Sequence, residues 1–380
     1  MKCCWEEKKL GEIIRLEYGK PLSDDKRVPD GKYPVYGANG EKDRTNEFYY
    51  DKPSIIVGRK GSAGEVNLTA KRFWPLDVTY FVTFDEKKYS LKFLFNLLLT
   101  LDLPILAKGV KPGINRNEVY GLTVRIPPLP EQERVVNLID SIFEKAAKAK
   151  ENAEKNLQNT RELFEAYLQS MFVHSGKSWE QRSLEELGVI TSSKRIFKSE
   201  YVKDGVPFYR TKEIKELAND KDISLELFIS RERYNEIKNK FGIPKEGDVL
   251  LSAVGTIGEI YVVQEDDEFY FKDGNIVWLK DFDSVDKYYL KYALQSFVEQ
   301  IRMLSRGAAY SALTIEKLNK YKIPVPAIKD QQQIVVKLDS LSSKIKKLER
   351  IYQQKLADLE ELKKSVLHKA FNGELAGACS

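Results

Sequence analysis

The sequence predicts an α+β protein in which two long helices form an antiparallel coiled coil and separate two mixed, mostly β domains, with an internal pseudo-two-fold repeat. Three observations support this fold class. An apolar seam of helical spacing occurs twice, 199 residues apart, the segments that lead into the two seams match, and a stretch rich in strand and turn signals precedes each seam. An offset kept without gaps over about forty residues indicates an internal repeat.

The repeated helix carries one apolar seam. Its residues follow one another at steps of three and four, the spacing that keeps one side of an α-helix against a partner helix. In the first copy the seam consists of Val135, Ile139, Ile142, Ala146, Ala149, Ala153, Thr160, Leu163 and Tyr167. In the second copy it consists of Ile334, Leu338, Leu341, Ile345, Leu348, Tyr352, Leu359, Leu362 and Val366.

One polar residue interrupts each seam at the same place. Asn156 and its counterpart Lys355 occupy positions where an apolar residue is expected. A polar residue in a seam can fix register and partner choice at some cost in stability. A helix that is locally turned towards water explains the same pattern equally well, so both interpretations stay open.

Length and composition favour a multidomain protein of the soluble, globular class. The 380 residues have room for two or three domains, and 42% are hydrophobic while 31% are charged. No apolar run approaches the roughly 20 residues of a membrane-spanning helix, and the first residues lack the apolar core of a signal peptide, so we expect a cytoplasmic protein. The net charge of +5 is only a weak indication of nucleic acid.

The three cysteines lie at the ends of the sequence with none in between, which excludes a disulfide framework or an internal zinc site of known spacing. The cysteines are Cys3, Cys4 and Cys379, and the two histidines, His174 and His368, fall at the ends of the two long helices. We expect these histidines to be solvated or bonded to helix-end carbonyls rather than catalytic.

Strands dominate the stretch before the first long helix. Residues 54–57 and 65–68 predict two strands, with Gly58, Gly61 and Gly64 between them, and residues 91–101 predict a helix. A dinucleotide fingerprint should open a helix after its strand, and the sequence contains no Gly-Lys-Ser/Thr phosphate loop. We therefore interpret the glycines as a hairpin turn, with direct contact to DNA as the less favoured alternative.

The stretch before the second long helix repeats this plan loosely. Residues 248–260 echo residues 54–66, with Gly258 on Gly64, and Trp179 echoes Trp5. The spacing drifts between these echoes, which predicts insertions. Most side chains between the echoes differ. The two domains therefore share a backbone arrangement, which we call the frame, but not the side chains on its surface.

A proline-rich entry into each long helix carries a family resemblance. The entries read Ile-Pro-Pro-Leu-Pro-Glu-Gln at residues 126–132 and Val-Pro-Ala-Ile-Lys-Asp-Gln at 325–331, and the second helix closes with Phe-Asn-Gly-Glu-Leu at 371–375. Domain, entry, long helix, and then the same again, resemble the specificity subunit of type I restriction–modification systems. Lys329 stands where the pattern has proline, and residues 172–176 have lost most of the closing motif.

The resemblance covers the whole chain and implies a division into four parts. It implies a first target-recognition domain at residues 1–128 and a central helical spacer at 129–174. A second target-recognition domain follows at 175–327, and a C-terminal helical spacer at 328–375.

Basic clusters beside aromatic or glycine residues are the candidate DNA contacts. Lysine and arginine neutralise phosphates, and arginine can also read guanine in the major groove. For any single residue, a solvated surface charge is the simpler interpretation. Only the clusters, taken as groups, favour contact with DNA. The candidates are Arg59, Lys60, Lys71, Arg72, Lys108, Lys111, Arg116, Lys194, Arg195, Arg210, Lys212 and Arg306.

No catalytic set is recognisable in the sequence. An amino-methyltransferase would need an Asn/Asp-Pro-Pro-aromatic loop, whereas the only Pro-Pro pair, Pro127-Pro128, opens a helix. The chain is therefore predicted not to be an enzyme and to have no metal or cofactor of its own. The resemblance implies a complex with two methyltransferase subunits that use S-adenosylmethionine and with translocating restriction subunits that use ATP and Mg²⁺.

The predicted function is sequence-specific binding of double-stranded DNA, each domain reading one half of an asymmetric, split target. A helix of roughly 42 residues is about 60 Å long, which allows the coiled coil to set the spacer between the half-sites. A coiled-coil scaffold that does not bind DNA is the alternative, and an enzyme with an unrecognised site is a lesser one.

The repeat also predicts that the two ends of the chain lie close together. Phe172 and Trp179 are joined by so few residues that they cannot be more than about 25 Å apart. The repeat maps them onto Phe371 and Trp5. These two residues should therefore be equally close, and Cys379 should approach Cys3 or Cys4.

Overall fold

The computed structural model of the chain describes residues 5–173, 179–254, 257–304 and 313–374, without the side chains of residues 173 and 302–304. The chain forms two compact units. The first comprises Met1–Glu154 and Gln353–Ser380, and the second comprises Lys155–Tyr352. The predicted fold class, two mixed domains with two long helices, is confirmed.

From residue 5, where the described part starts, the first unit has nine strands and three short helices before the first long helix. The strands are β1 (Glu6–Lys9), β2 (Ile14–Tyr18), β3 (Tyr33–Gly37), β4 (Gly40–Thr45), β5 (Ser54–Gly58), β6 (Val66–Thr69), β7 (Trp74–Pro75), β8 (Thr79–Phe84) and β9 (Thr123–Ile126). The helices are α1 (Leu10–Ile13), α2 (Leu91–Thr100) and α3 (Arg116–Tyr120), and two 3-10 turns are Asp24–Lys26 and Leu103–Leu106.

A four-stranded antiparallel sheet forms the centre of the first unit. Its strand order is β2-β8-β5-β6, and a smaller sheet of order β4-β3-β7 contains the parallel pair β3 and β7. Helix α2 packs on the larger sheet because its apolar side, which includes Phe93, Leu94 and Leu97, is buried in the same core as Ile55 and Val57. Strands β1 and β9 pair separately.

In the part of the second unit that the structure describes, there are ten strands and the longest of the smaller helices. The strands are β10 (Glu180–Ser183), β11 (Val189–Thr191), β12 (Tyr201–Val202), β13 (Val206–Tyr209), β14 (Phe228–Ile229), β15 (Val249–Ser252), β16 (Ile260–Val262), β17 (Tyr270–Phe271), β18 (Ile276–Lys280) and β19 (Lys322–Val325). The first long helix, α4 (Leu129–Val173), precedes these strands in the chain. The smaller helices are α5 (Leu184–Leu187), α6 (Thr211–Ala218), α7 (Arg231–Phe241), α8 (Lys287–Leu304) and α9 (Ile315–Asn319), and one 3-10 turn is Lys198–Glu200.

The topology of the second unit repeats that of the first. Its central sheet has the order β11-β18-β15-β16, β10 pairs with β19, and the smaller sheet again contains a parallel pair, β13 with β17. Helices α6 and α7 lie in the chain between β13 and β15, where the first unit has no helix between β3 and β5. These additions explain the drift in spacing that the sequence shows.

Two long helices, α4 and α10 (Ile328–Phe371), run antiparallel within each unit. In the first unit Ile139 shares a core with Phe371, and Lys150 forms an ion pair of 2.8 Å with Glu360 further along. In the second unit the core contains Leu168, Phe172 and Leu338. Arg161 and Glu349 form an ion pair of 2.6 Å there.

The predicted seam is confirmed along α4 as far as Thr160 and is wrong at its last two positions, Leu163 and Tyr167. Val135, Ile139 and Ala153 are buried as expected, but Leu163 is 62% exposed and Tyr167 36% exposed. In α4, Leu157, Phe164 and Leu168 are turned inward instead. In α10, two predicted seam residues, Leu348 and Leu362, are likewise exposed. An α-helix has 3.6 residues per turn, so a strict seven-residue pattern drifts around the helix, and here the contact moves to the next residue.

This shift also decides between the two interpretations of Asn156 and Lys355. Both residues are exposed, and the half-buried Leu157 and Leu356 stand in the seam beside them. The polar residues therefore face solvent and do not set the register of the pair. At this point of the seam the two helices depart from the predicted pattern in the same way.

One glutamine at each helix entry joins a domain to its long helix. Gln132 is fully buried and accepts a hydrogen bond from Ser90 N (2.9 Å) while its amide donates to the carbonyls of Lys88 (3.1 Å) and Pro127 (2.9 Å). Ser90 is the residue that caps α2. The glutamine therefore holds the start of α2 to the start of α4.

Gln331 makes the equivalent set of bonds in the second unit. It accepts from Asp286 N (2.8 Å) and donates to the carbonyls of Ser284 (3.4 Å) and Pro326 (2.8 Å). Asp286 directly precedes α8, which corresponds to α2. The final glutamine of each entry motif thus has one structural role in both copies.

The prediction that the chain closes on itself is confirmed within the first unit. The ring centroid of Phe93 lies 6.2 Å from that of Trp5 and 5.0 Å from that of Phe371, so both residues contact the same side chain. This separation is far below the limit of about 25 Å. Cys3, Cys4 and Cys379 lie outside the described residues, as does His174, while His368 is exposed at the end of α10.

No helix among the described residues is long and apolar enough to cross a membrane. In the same residues, no group of three or more histidine, cysteine or acidic side chains is arranged to hold a metal ion. The four-part division at residues 128, 174 and 327 stays a prediction, since each compact unit contains one half of each long helix.

Candidate nucleic-acid interface

The glycine segment of the first domain is a hairpin turn, as predicted. Strand β5 pairs antiparallel with β6, and Gly61 and Gly64 between them have φ values of 82° and 87°. A Cβ atom on Gly64 would lie 2.4 Å from Pro104 N, so this position also requires a close backbone approach. Arg59 and Lys60 follow β5 directly and lie in this turn.

A second loop meets this hairpin and brings further lysines to it. Lys60 and Lys108 each form an isolated bridge to Gly113, and Ile114 N donates to Arg59 O at 3.1 Å. Lys60, Lys108 and Lys111 are exposed. Lys108 forms an ion pair with Glu118 at 2.5 Å. The tertiary structure therefore collects lysines that are about fifty residues apart in the chain at one edge of the domain.

Two arginines of this edge lie against one exposed tyrosine. The guanidinium of Arg59 is 5.4 Å from the ring centroid of Tyr18, and that of Arg116 is 5.0 Å from it. Tyr18 ends β2 and is 46% exposed. Its ring lies 5.1 Å from that of the buried Tyr80, whose pKa burial and the neighbouring Tyr18 raise to about 12.

Lys71 and Arg72 belong to a different group of side chains. The guanidinium of Arg72 is 4.8 Å from the ring of Phe48, which packs edge-on against Tyr33. A hydrogen bond from Arg72 lowers the pKa of the Tyr33 hydroxyl. Lys71 is exposed beside Arg72. The first domain thus has two basic-aromatic groups.

In the second domain most of the basic side chains predicted to contact DNA form ion pairs with acidic side chains. Arg195 pairs with Asp273 at 2.8 Å. Lys194 lies 5.1 Å from the ring of Phe241, an exposed aromatic at the end of α7. Of this pair, Lys194 is the better placed to meet a ligand.

Arg210 and Lys212 form a closed network with two glutamates. Arg210 pairs with Glu213 (2.6 Å) and Glu226 (2.7 Å), and Lys212 pairs with Glu226 (2.7 Å). Burial favours a higher pKa for Glu213, but the hydrogen bonds from Arg210 outweigh it and lower that pKa. Hydrogen bonds from Lys212 and Arg210 lower the pKa of Glu226 to about 2. This network links the start of α6 to the loop before β14.

Arg306, the last of the predicted contacts, lies outside the described residues. The remaining predicted contacts stay predictions. Sequence reasoning did not single out Tyr18, Phe48 or Lys20, whose ammonium lies 5.4 Å from the ring of Tyr49. Tyr18 continues the alternation of the buried Ile14 and Leu16, so the pattern predicts burial. The sequence signal that could have identified Tyr18 as exposed is its place at the end of a strand, directly before Gly19-Lys20.

The two domains present different side chains at equivalent backbone positions. Gly64 N donates to Gly58 O (2.8 Å) and Gly258 N to Ser252 O (2.9 Å), so the turns after β5 and β15 correspond. Arg59 then corresponds to Ala253. A backbone frame that occurs twice, with different side chains at equivalent turns and with two long helices, defines the class of protein: a two-domain α+β protein built from an internal repeat.

The chain belongs to the family described as the type I restriction modification DNA specificity domain, which it matches over residues 4–157 and 176–356. It is therefore a recognition component of the type I restriction–modification class.

Two relatives agree with this assignment. A putative type I restriction enzyme specificity subunit of Haemophilus influenzae is 28% identical over 351 residues, which cover 89% of this chain and 88% of that protein. The type I restriction enzyme EcoBI specificity subunit of Escherichia coli is 22% identical over 409 residues, covering 97% of this chain and 82% of the relative.

Among solved structures, a chain of a type I restriction–modification system matches with a TM-score of 0.76 at 19% identity, over 98% of both chains. The HsdS subunit of Thermoanaerobacter tengcongensis matches with a TM-score of 0.60 at 20% identity, over 99% of this chain and 98% of that one. At these identities the two matches show the shared fold.

Proposed function

We propose that each domain of this specificity subunit reads one half of an asymmetric, bipartite DNA target, and that the paired helices set the number of unread base pairs between the halves. The observation that carries the proposal is the repeat itself. The backbone frame occurs twice, while Arg59 of the first turn is replaced by Ala253 in the second. Two frames with different contact residues recognise two different sequences, since base readout depends on side chains at the groove.

The catalytic steps belong to partner subunits in this proposal. Two methyltransferase subunits would supply S-adenosylmethionine chemistry, and restriction subunits would use ATP and Mg²⁺, all in the cytoplasm. The relatives are named as a putative specificity subunit in Haemophilus influenzae and a specificity subunit in Escherichia coli, both of type I restriction enzymes, which supports the place of this chain as one subunit of such an enzyme. The chain itself would bind DNA and hold its partners, with no cofactor of its own.

Methylation mapping tests the proposal directly. The chain is reconstituted with its methyltransferase partner, and the methylated positions on random-sequence DNA are aligned. We expect two short specific blocks, different from each other, at a constant spacing. Exchange of residues 1–128 for the equivalent domain of a relative should then change one block only. A change in both blocks, or a single continuous site, would contradict the proposal.

The alternative is a coiled-coil adaptor that does not contact DNA. Retention of the purified chain on duplex DNA distinguishes the two functions, because phosphate contacts release counterions and must weaken as salt rises. Absence of retention at low salt, with the partner complex still formed, would favour the adaptor.

A further inference from the structure

We propose that Arg116, supported by the exposed ring of Tyr18, is the side chain with which the first domain reads a guanine, and that Arg59 beside it contacts a backbone phosphate. The proposal rests on the proposed function, because it requires that the first domain binds DNA. It goes further by assigning different roles to two arginines at one site and by naming the tyrosine that positions them.

Tyr18 is a platform whose position the fold determines. It pairs with Tyr80 in the register of β2 and β8, and the two rings lie 5.1 Å apart. Tyr80 is only 3% exposed, whereas Tyr18 is 46% exposed. Tyr18 is thus held against the core by Tyr80, while much of its side chain meets solvent. A planar guanidinium over such a ring is held by cation–π attraction without using its N–H donors.

Both arginines approach this one ring, and neither is neutralised. Their guanidiniums lie 5.4 Å (Arg59) and 5.0 Å (Arg116) from the ring centroid. Across the part of the chain that the structure describes, no carboxylate forms an ion pair with either. Like charges at the same ring repel each other, and the exposed Lys60 and Lys111 of the same edge add to the positive potential. A polyanion bound here relieves that repulsion, whereas the network of Arg210 needs no such ligand.

The hydrogen bonds of the two arginines assign their roles. Arg59 donates from both Nε and Nη2 to the carbonyl of Asp77, at 2.9 and 2.6 Å. This side of its fork is occupied, so it can offer the remaining N–H groups as a point contact to phosphate. Arg116 donates to no protein group among the described residues. Its whole fork is available for the two acceptors of guanine, O6 and N7.

The second domain serves as an internal comparison. Ile114 N donates to Arg59 O (3.1 Å), and Leu313 N donates to Ala253 O (3.3 Å). Ile114 and Leu313 are separated by the same offset as the long helices, so Ile315 occupies the position of Arg116.

The short helices agree with this alignment. Asn115 caps α3 and Thr314 caps α9, each one residue before the position in question. The second domain therefore lacks both guanidiniums, and guanine reading by this arrangement is confined to the half-site of the first domain.

The experiment uses the chain reconstituted with its methyltransferase partner and duplexes carrying the mapped target. Each base pair of both half-sites is changed in turn, and binding is measured over a salt series. Arg116→Ala should lose about 10–100-fold of discrimination at one G·C pair of the first half-site. Arg116→Lys should lose it as well, because it keeps the charge but not the fork.

Arg59→Ala and two tyrosine variants complete the series. Arg59→Ala should weaken binding equally for all duplexes and reduce the salt slope by about one, as expected for a phosphate contact. Tyr18→Ala should relax discrimination at the same pair as Arg116→Ala. Tyr18→Phe keeps the ring and should retain that discrimination.

Discrimination in the second half-site is the folding control, since it is measured in the same protein and should not change. The proposal is overturned if Arg116→Lys retains full discrimination, or if Arg116→Ala weakens all duplexes equally. If the unaltered complex shows no sequence preference at all, the proposed function fails, and that result is distinct from either of the others.

Discussion

At the scale of single residues, the two buried glutamines have the clearest energetic consequence. Gln132 satisfies one N–H and two carbonyls of neighbouring segments, and all three would be left without this partner in a Gln132→Leu variant. A buried polar group that loses its partner costs about 1–3 kcal/mol.

We therefore expect Gln132→Leu to lower the free energy of unfolding by about 2–5 kcal/mol, measured by chemical denaturation of the purified chain. The matched control is Gln158→Leu on the same helix, where the glutamine is exposed and bonds to Glu162. This control should stay within about 0.5 kcal/mol of the unaltered chain. Equal effects of the two variants would show that the buried amide has no special role.

The ion pairs of Glu226 predict how the stability of the chain depends on pH. Hydrogen bonds from Lys212 and Arg210 lower its pKa to about 2 in the folded chain. A carboxylate with a lowered folded-state pKa adds stability above its unfolded pKa, and this stability is lost as the pH falls through the folded value. The contribution of Glu226 should therefore be present above about pH 4.3 and disappear towards about pH 2.

Glu226→Gln should lower the thermal midpoint near neutral pH and flatten its decline across that window. The effect should be small and should shrink at high salt, because the pair is exposed. The comparison variant is Glu265→Gln, an exposed carboxylate with no ion pair in the described part of the chain. A steeper decline for Glu226→Gln than for the unaltered chain would contradict the assigned direction.

At the scale of elements, the pairing of the long helices follows the geometry of the α-helix rather than a strict heptad. Leu163 and Leu168 both fit an amphipathic pattern, yet Leu163 is 62% exposed and Leu168 only 1% exposed. Leu168 shares a core with Phe172 and Leu338. Leu168 therefore belongs to the buried side of α4 in the second unit, and Leu163 does not.

Leu168→Ala should destabilise the chain by about 2–5 kcal/mol, since it removes buried methyl groups and leaves a cavity. Leu163→Ala should change the free energy of unfolding by less than about 0.5 kcal/mol in the isolated chain. Denaturant midpoints of the two variants test the seam that the structure shows. A larger loss of stability for Leu163→Ala than for Leu168→Ala would instead support the seam predicted from strict heptads.

At the scale of the whole molecule, the spacer prediction concerns both long helices together. Insertion of one heptad into α4 and one into α10, at positions related by the repeat, keeps the seams in phase and lengthens the pair by about 10 Å. At 3.4 Å per base pair, the unread spacer of the target should grow by about three base pairs, with both half-sites unchanged. Methylation mapping of the reconstituted complex measures this. Altered half-sites with an unchanged spacer would show that the helices do not set the gap.

The sequence by itself determined the repeat and everything that follows from it. The two long helices, the hairpin of Gly58, Gly61 and Gly64, and the approach of Trp5 to Phe371 could all be predicted. Helical periodicity and turn chemistry are local properties, and an internal repeat transfers the relation of one junction to the other. The same local rules could not decide between Leu163 and Leu168, because a small drift per turn accumulates along a long helix.

Only the tertiary structure decided which basic side chains pair with acidic neighbours and which lie against an aromatic ring. Arg210, Arg116 and Arg59 look alike in the sequence, but Arg210 is held by Glu213 and Glu226. Arg59 and Arg116, far apart in the chain, meet on Tyr18. The reason is physical: the charge state of a surface depends on which side chains the fold brings within a few ångströms. Sequence proximity does not report that distance.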